Sequence, residues 1–165
     1  MSTGDLFGDR IADFSSCRKY RYTLWQWWDK KKPYVMFIGL NPSTADEVQD
    51  DPTVRRCIRF AQRWGYGGFC MTNLFAFRAT DPKEMKAQEE PIGPLNDEWL
   101  VEIAQGAGIV VAAWGVHGVH MNRENRVINI LEDLCCLGIT KEGHPRHPLY
   151  MKNDTKLMKY RREEE

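Results

Sequence analysis

The chain has 165 residues, 42% apolar and 28% charged, with formal net charge zero. That composition suits one compact domain with a sizeable core and argues against a disordered or fibrous chain. It also argues against a protein whose binding rests on many phosphate contacts, which would carry a basic excess. Five cysteines, Cys17, Cys57, Cys70, Cys135 and Cys136, lack paired metal-ligand spacing. An odd number with no export signal at the polar start fits the reducing cytoplasm. No apolar run reaches membrane-spanning length, so no membrane association is expected.

Residues 1–16, with Gly4, Gly8 and several Asp and Ser, read as a flexible or surface-packed arm. In residues 17–29, Tyr20, Tyr22 and Leu24 alternate with polar residues, as in a half-buried edge strand. The tryptophans after it read as core packing, with an exposed stacking platform as the alternative. The apolar run 34–38 opens into Gly39-Leu40-Asn41-Pro42-Ser43, a strand ending in a tight polar loop. Asp51-Pro52-Thr53 starts a helix, with Asp51 as cap and Pro52 in the first turn. Val54, Cys57, Ile58 and Ala61 repeat at helical spacing until Gly65 stops the helix.

Residues 69–74 read as a second central strand running into 75–82. A short helix is expected over 83–90, and one over 97–105 capped by Asn96. Residues 109–114, nearly all apolar, read as a strand covered on both faces. A helix over 122–134, a strand over 135–139, a turn-rich outlet over 141–150 and a helical turn over 152–159 follow. The final run 161–165 reads as a frayed tail. The alternation predicts a single α/β domain over 17–160: a three-layer α/β/α sandwich with a mostly parallel sheet of four or five strands.

Open α/β sheets bind ligands at the carboxyl ends of their strands, and four such outlets carry polar groups here. Gly39, Leu40, Asn41, Pro42 and Ser43 form the first. Asn41 either places a water or closes an Asx turn. Ser43 offers a hydroxyl or amide to a phosphate. The glycine patterns of a serine nucleophile elbow, a nucleotide-triphosphate loop and a dinucleotide fingerprint are all missing. Asp50 and Asp51 bring a carboxylate beside this loop, read either as helix cap or as water-positioning base. At the second outlet Asn73 can pair with a nucleobase edge, Phe75 or Phe77 can stack on it or else pack in the core, and Arg78 can receive a phosphate or carboxylate or else form a surface salt bridge. The third is Trp114-Gly115, followed by His117 and His120. In the last, Arg146 can reach a phosphate and Tyr150 can close the pocket. His147, held before Pro148, can donate to a departing base. His144 reads as a solvent-facing turn residue. The four histidines match no metal-ligand module, so neither metal nor cofactor is expected.

The segments GLNPSTAD at 39–46, DDPT at 50–53, WGYG at 64–67, NLFAFRATDP at 73–82, WG at 114–115 and HPLY at 147–150 closely resemble a family of bacterial and phage proteins of unknown function. More distantly, Gly39-Leu40-Asn41-Pro42, Asn73, Trp114-Gly115 and His147-Pro148 resemble, in order, motifs of the uracil-DNA glycosylase superfamily. That resemblance implies a glycosylase-like fold. It implies Asn41 and His147 as catalytic residues and Asn73 as the reader of a pyrimidine; Asp51 joins the catalytic candidates from its own place beside the first loop. Asn41 is an amide, as in the mismatch-specific branch, and Leu149-Tyr150 departs from the usual continuation. The resulting expectation is a protein that acts on or binds a nucleobase, such as a modified pyrimidine in DNA, through water attack on an N-glycosidic bond. A non-catalytic nucleic-acid or nucleotide binder is the alternative, with a metal-dependent phosphoester hydrolase a third.

Overall fold

A computed structural model describes residues 10–43 and 51–160. Asp50, the loop 44–50, the first nine residues of the expected arm and the tail 161–165 lie outside the described residues. The strands are β1 (Arg10–Phe14), β2 (Arg21–Trp27), β3 (Tyr34–Gly39), β4 (Gly68–Asn73), β5 (Ile109–Ala112), β6 (Leu134–Cys136) and β7 (Met158–Lys159). The helices are α1 (Pro52–Arg63), α2 (Pro82–Lys86), α3 (Asn96–Gly106) and α4 (Arg123–Ile130).

Among the described residues the strands form one sheet in the order β1-β2-β4-β3-β5-β6-β7. The inner four, β4-β3-β5-β6, are parallel. The outer pairings β1-β2, β2-β4 and β6-β7 are antiparallel. The sheet is therefore mixed and seven-stranded, not a mostly parallel sheet of four or five. The additional strands are those with the weakest patterns. β1 is five residues, partly buried, within the stretch read as an arm. β7 is two exposed residues where a helical turn was expected. β2 is not an edge strand: it lies between β1 and β4, and five of its seven residues are buried.

The parallel strands alternate their side chains between two cores, as their two-residue period requires. Val35, Phe37, Val111 and Ala113 pack with Val54, Cys57, Phe60 and Ala61 of α1. Met36, Ile38, Val110 and Ala112 pack with Leu100 and Ile103 of α3 and Val127 of α4. Helices thus cover both faces of an α/β sandwich.

Helix α1 starts as its sequence dictates. Asp51 Oδ1 accepts from the Thr53 and Val54 amides at 2.8 and 3.3 Å, and Pro52 occupies the first turn. The other helices are shorter or start differently than expected. Asn96 does not cap α3 with its side chain. It is buried, and its Nδ2 donates to the Asn73 and Leu74 carbonyls at 2.9 and 3.1 Å. Helix α4 ends at Ile130, because Leu131 is already extended and leads to β6.

Strands β3 and β5 are neighbours, yet the helices that follow them lie on opposite faces of the sheet. Their outgoing loops diverge, and divergence at adjacent carboxyl ends opens a crevice.

Candidate functional site

A cavity of about 630 Å³ fills that crevice, a volume suited to a small organic ligand. Its wall includes Gly39–Ser43 after β3, Asn73 at the end of β4, Trp114–His117 after β5, and Arg146–Tyr150 in the last loop. Asn41, Asn73, Asp51 and His147 therefore face one concave space, although 106 residues separate the first from the last.

Backbone bonds extend the ladder past the strand ends and fix the first two outlets. Leu74 N donates to Gly39 O at 2.9 Å, Phe75 N to Leu40 O at 2.9 Å, and Ala79 N to Pro42 O at 3.0 Å. The Asn41 amide joins this zipper. Its Nδ2 donates to Ala79 O at 2.9 Å and Pro42 O at 3.1 Å. That fixes the amide of the side chain and commits both of its N–H donors. Among the described residues its Oδ1 accepts no hydrogen bond. Asn41 thus ties its loop by donating from Nδ2 rather than by an Asx turn, in which Oδ1 would accept, and its Oδ1 is left as an acceptor.

Asn73 is only 3% exposed, opposite Gly39 in the β3-β4 register. A Cβ on residue 39 would sit 2.9 Å from Asn73 Oδ1, so glycine there lets the amide lie under the loop. Asn73 Nδ2 is buried with no partner among the described residues. A buried donor left unsatisfied costs about 1–3 kcal/mol, and at a cavity wall a ligand acceptor removes that cost. Asn96 and Arg123 hold the same strand end from behind, Arg123 Nε donating to Leu74 O at 2.7 Å and Nη1 pairing with Asp97 at 2.6 Å.

Asp51 takes the first of its two expected roles, the helix cap. One oxygen caps α1, and the other accepts from Ser43 Oγ at 3.2 Å. His147 has its tautomer set by the backbone. Its Nδ1 accepts from Leu149 N at 3.2 Å, so the proton of the neutral ring sits on Nε2. Burial pushes the His147 pKa down, partly offset by the Asp51 carboxylate. The neutral donor form is favoured. Gly115 has φ +74°, a left-handed conformation that favours glycine, and its N–H donates to Pro145 O at 3.0 Å. This clasps the β5 outlet to the loop carrying His147.

Two expected ligand contacts are placed elsewhere, and a third is turned into the core. Phe75 is fully buried, its ring 5.6 Å from His120, and it is not part of the cavity wall. Arg78 lies with its guanidinium 4.8 Å from the Phe14 ring and donates to Arg18 O, away from the cavity. Trp114 borders the cavity, but its indole is core: it is 1% exposed and Nε1 donates to Glu124 Oε1 at 2.8 Å. His144, read as solvent-facing, is buried, with Nδ1 2.9 Å from that same oxygen. The Trp114–Glu124–His144 cluster locks the β5 end, α4 and the last loop together. Position after a strand does not reveal which way a side chain turns, hence these differences. The exposed aromatic at the rim is Tyr150, 84% exposed, its ring 5.8 Å from that of His147. Arg146 is also exposed at this rim.

Arg21 was not anticipated. It opens β2, is 3% exposed, and lines the cavity. Because β2 runs antiparallel to β4, its first residue stands at the carboxyl edge of the parallel strands. The visible signal was a lone arginine between two tyrosines, read as the solvent side of an edge strand. Among the described residues, no group of three or more His, Cys, Asp and Glu can hold a metal ion. No described helix is long and apolar enough to cross a membrane.

The family described as "Protein of unknown function (DUF1643)" matches residues 21–149, from Arg21 through the His147 loop. The chain belongs to DUF1643. This match overturns the resemblance drawn from the motifs: what it identifies is neither the family defined by those motifs nor the uracil-DNA glycosylase superfamily. No curated protein and no solved structure matches the chain. Within the DUF1643 match lie all the cavity residues discussed above except Tyr150, one position past its end.

Proposed function

We propose that this DUF1643 protein binds a nucleobase in its cavity and hydrolyses the N-glycosidic bond that carries it. The observation that supports this most is the convergence of Asn41, Asn73, Asp51 and His147 on one cavity of about 630 Å³. The Asn73 amide pairs with the base edge, as a side-chain amide can. Tyr150 at the rim offers the stacking surface. Asn41 Oδ1 and Asp51 orient a water. Its oxygen forms the new bond to the anomeric carbon while Asp51 takes the proton. The bonding pair of the broken C–N bond departs with the base, and His147 Nε2–H donates to the negative charge that develops there.

Incubation with nucleosides, nucleotides and DNA carrying uracil, mismatched thymine or modified pyrimidines tests this. The expected result is released free base or abasic sites, lowered about 10²–10⁴-fold by Asn41→Ala or His147→Ala. No product from any of them removes the catalytic part of the proposal.

One observation favours a second reading, a binder without chemistry. Both Asp51 oxygens already accept hydrogen bonds, from the α1 amides and from Ser43. Under that reading a nucleotide binds and remains intact.

A further inference from the structure

Among the described residues two arginines are almost wholly buried, and they are treated differently. Arg123, 2% exposed, has Asp97 at 2.6 Å and the Leu74 carbonyl at 2.7 Å. Arg21, 3% exposed, has neither kind of partner. Its Nε is buried without a hydrogen bond, and among the described residues nothing forms an ion pair or hydrogen bond with its guanidinium. Asp51 attracts it from beyond ion-pair distance, while Arg78 and Arg10 repel it. Burial is the larger influence and draws its pKa to about 10, which still leaves a cation at neutral pH.

An unpaired charge withdrawn from water is costly, so buried charges are normally paired. Arg123 is where this fold supplies the pairing itself. Arg21 stands instead at the wall of the cavity, where a ligand can supply it. The N-terminus of α1 opens on the same space, but its first amides are already bonded to Asp51. Among the described residues of this cavity wall, the buried positive group without a partner is therefore the Arg21 guanidinium, whose planar fork of donors matches a phosphate.

We propose that Arg21 is the receptor for a terminal phosphate of the ligand, which makes the ligand class a nucleotide or a 5′-phosphorylated strand end. An internal phosphodiester would carry chain on both sides into a space of about 630 Å³. The inference deepens the nucleobase reading and rests on it for the remainder of the ligand, but not for the phosphate itself.

Calorimetric titration in phosphate-free, low-salt buffer tests it. The probes are inorganic phosphate, the common nucleosides, their 5′-monophosphates, and a short oligonucleotide with and without a 5′-phosphate. A charge-assisted contact of this kind predicts that the preferred monophosphate binds about 10–100-fold more tightly than its nucleoside. Arg21→Met should bring that ratio close to one while leaving nucleoside affinity unchanged. Replacement of an unpaired buried charge by an apolar side chain of similar length is expected to leave the chain folded. If Arg21→Met does not fold, Arg21→Lys, which loses the fork, should reduce the same ratio.

Equal affinity for nucleoside and monophosphate overturns the assignment. So does a monophosphate preference that both Arg21 variants retain, or no binding of any phosphorylated probe. Binding of inorganic phosphate that depends on Arg21, without affinity for any nucleoside, sustains the phosphate receptor and instead removes the nucleobase reading. Comparison of the two oligonucleotides separates a strand end from a free nucleotide.

Discussion

Two single residues determine whether the cavity floor can work as described. Gly39 has no room for a Cβ, which would approach Asn73 Oδ1 to 2.9 Å. Gly39→Ala should therefore displace the Asn73 amide and weaken nucleotide binding, with β3 still buried and the fold kept. Calorimetry alongside circular dichroism checks this; unchanged affinity would mean that Asn73 does not touch the ligand. His147 provides a pH signature. Its folded pKa lies below its ordinary value of 6.5, chiefly through burial. Below pH 6.5 the unfolded chain takes up this proton before the native chain does. The contribution of His147 to stability is thus complete above about pH 6.5 and is lost as pH falls toward the folded pKa. Urea unfolding between about pH 5 and pH 7.5 should show a shallower pH dependence in His147→Gln than in the native chain. Burial and Lys86 lower the pKa of His117 as well, so some slope should remain in the variant. At this scale the sequence marked Asn41 and Asn73 because each ends an apolar run at a polar outlet, and His147 because it precedes proline in the turn-rich last loop. It did not mark Arg21, because an antiparallel strand carries its first residue to the edge where parallel strands carry their last.

Among the elements, α1 joins stability and chemistry at one side chain. Asp51 caps the helix through Oδ1 and meets Ser43 through Oδ2. Asparagine caps about as well as aspartate, whereas loss of the cap to alanine costs about 1 kcal/mol. Asp51→Asn should therefore keep thermal stability close to native and lower base release, while Asp51→Ala lowers both. Thermal melts beside the product assay separate the two effects. Full release by Asp51→Asn would leave Asp51 with capping alone. This helix was legible because cap, proline and apolar spacing agree over residues 51–61. Helix α3 was legible in place but not in its cap. Asn96 looks like a cap from its neighbours, yet its buried amide instead braces the end of β4.

For the molecule as a whole, the alternation of apolar runs and helical periods was enough for two helical layers around a sheet with β3, β4 and β5 at its centre. The breadth of the sheet was not legible. β1, β2 and β7 take their places from antiparallel pairing, and short partly polar segments carry little pattern of their own. Pairing of that kind brings Arg21 to the wall of the cavity that the parallel outlets begin. Function depends on that convergence, so it should be probed at several elements at once. Side-chain NMR of selectively labelled Asn and His during titration with the tightest-binding nucleotide does this. The account predicts that the Asn73 amide, the Asn41 amide and the His147 imidazole shift together and saturate at one dissociation constant. Shifts confined to other asparagines and histidines, or saturation of these three at unrelated concentrations, would contradict it.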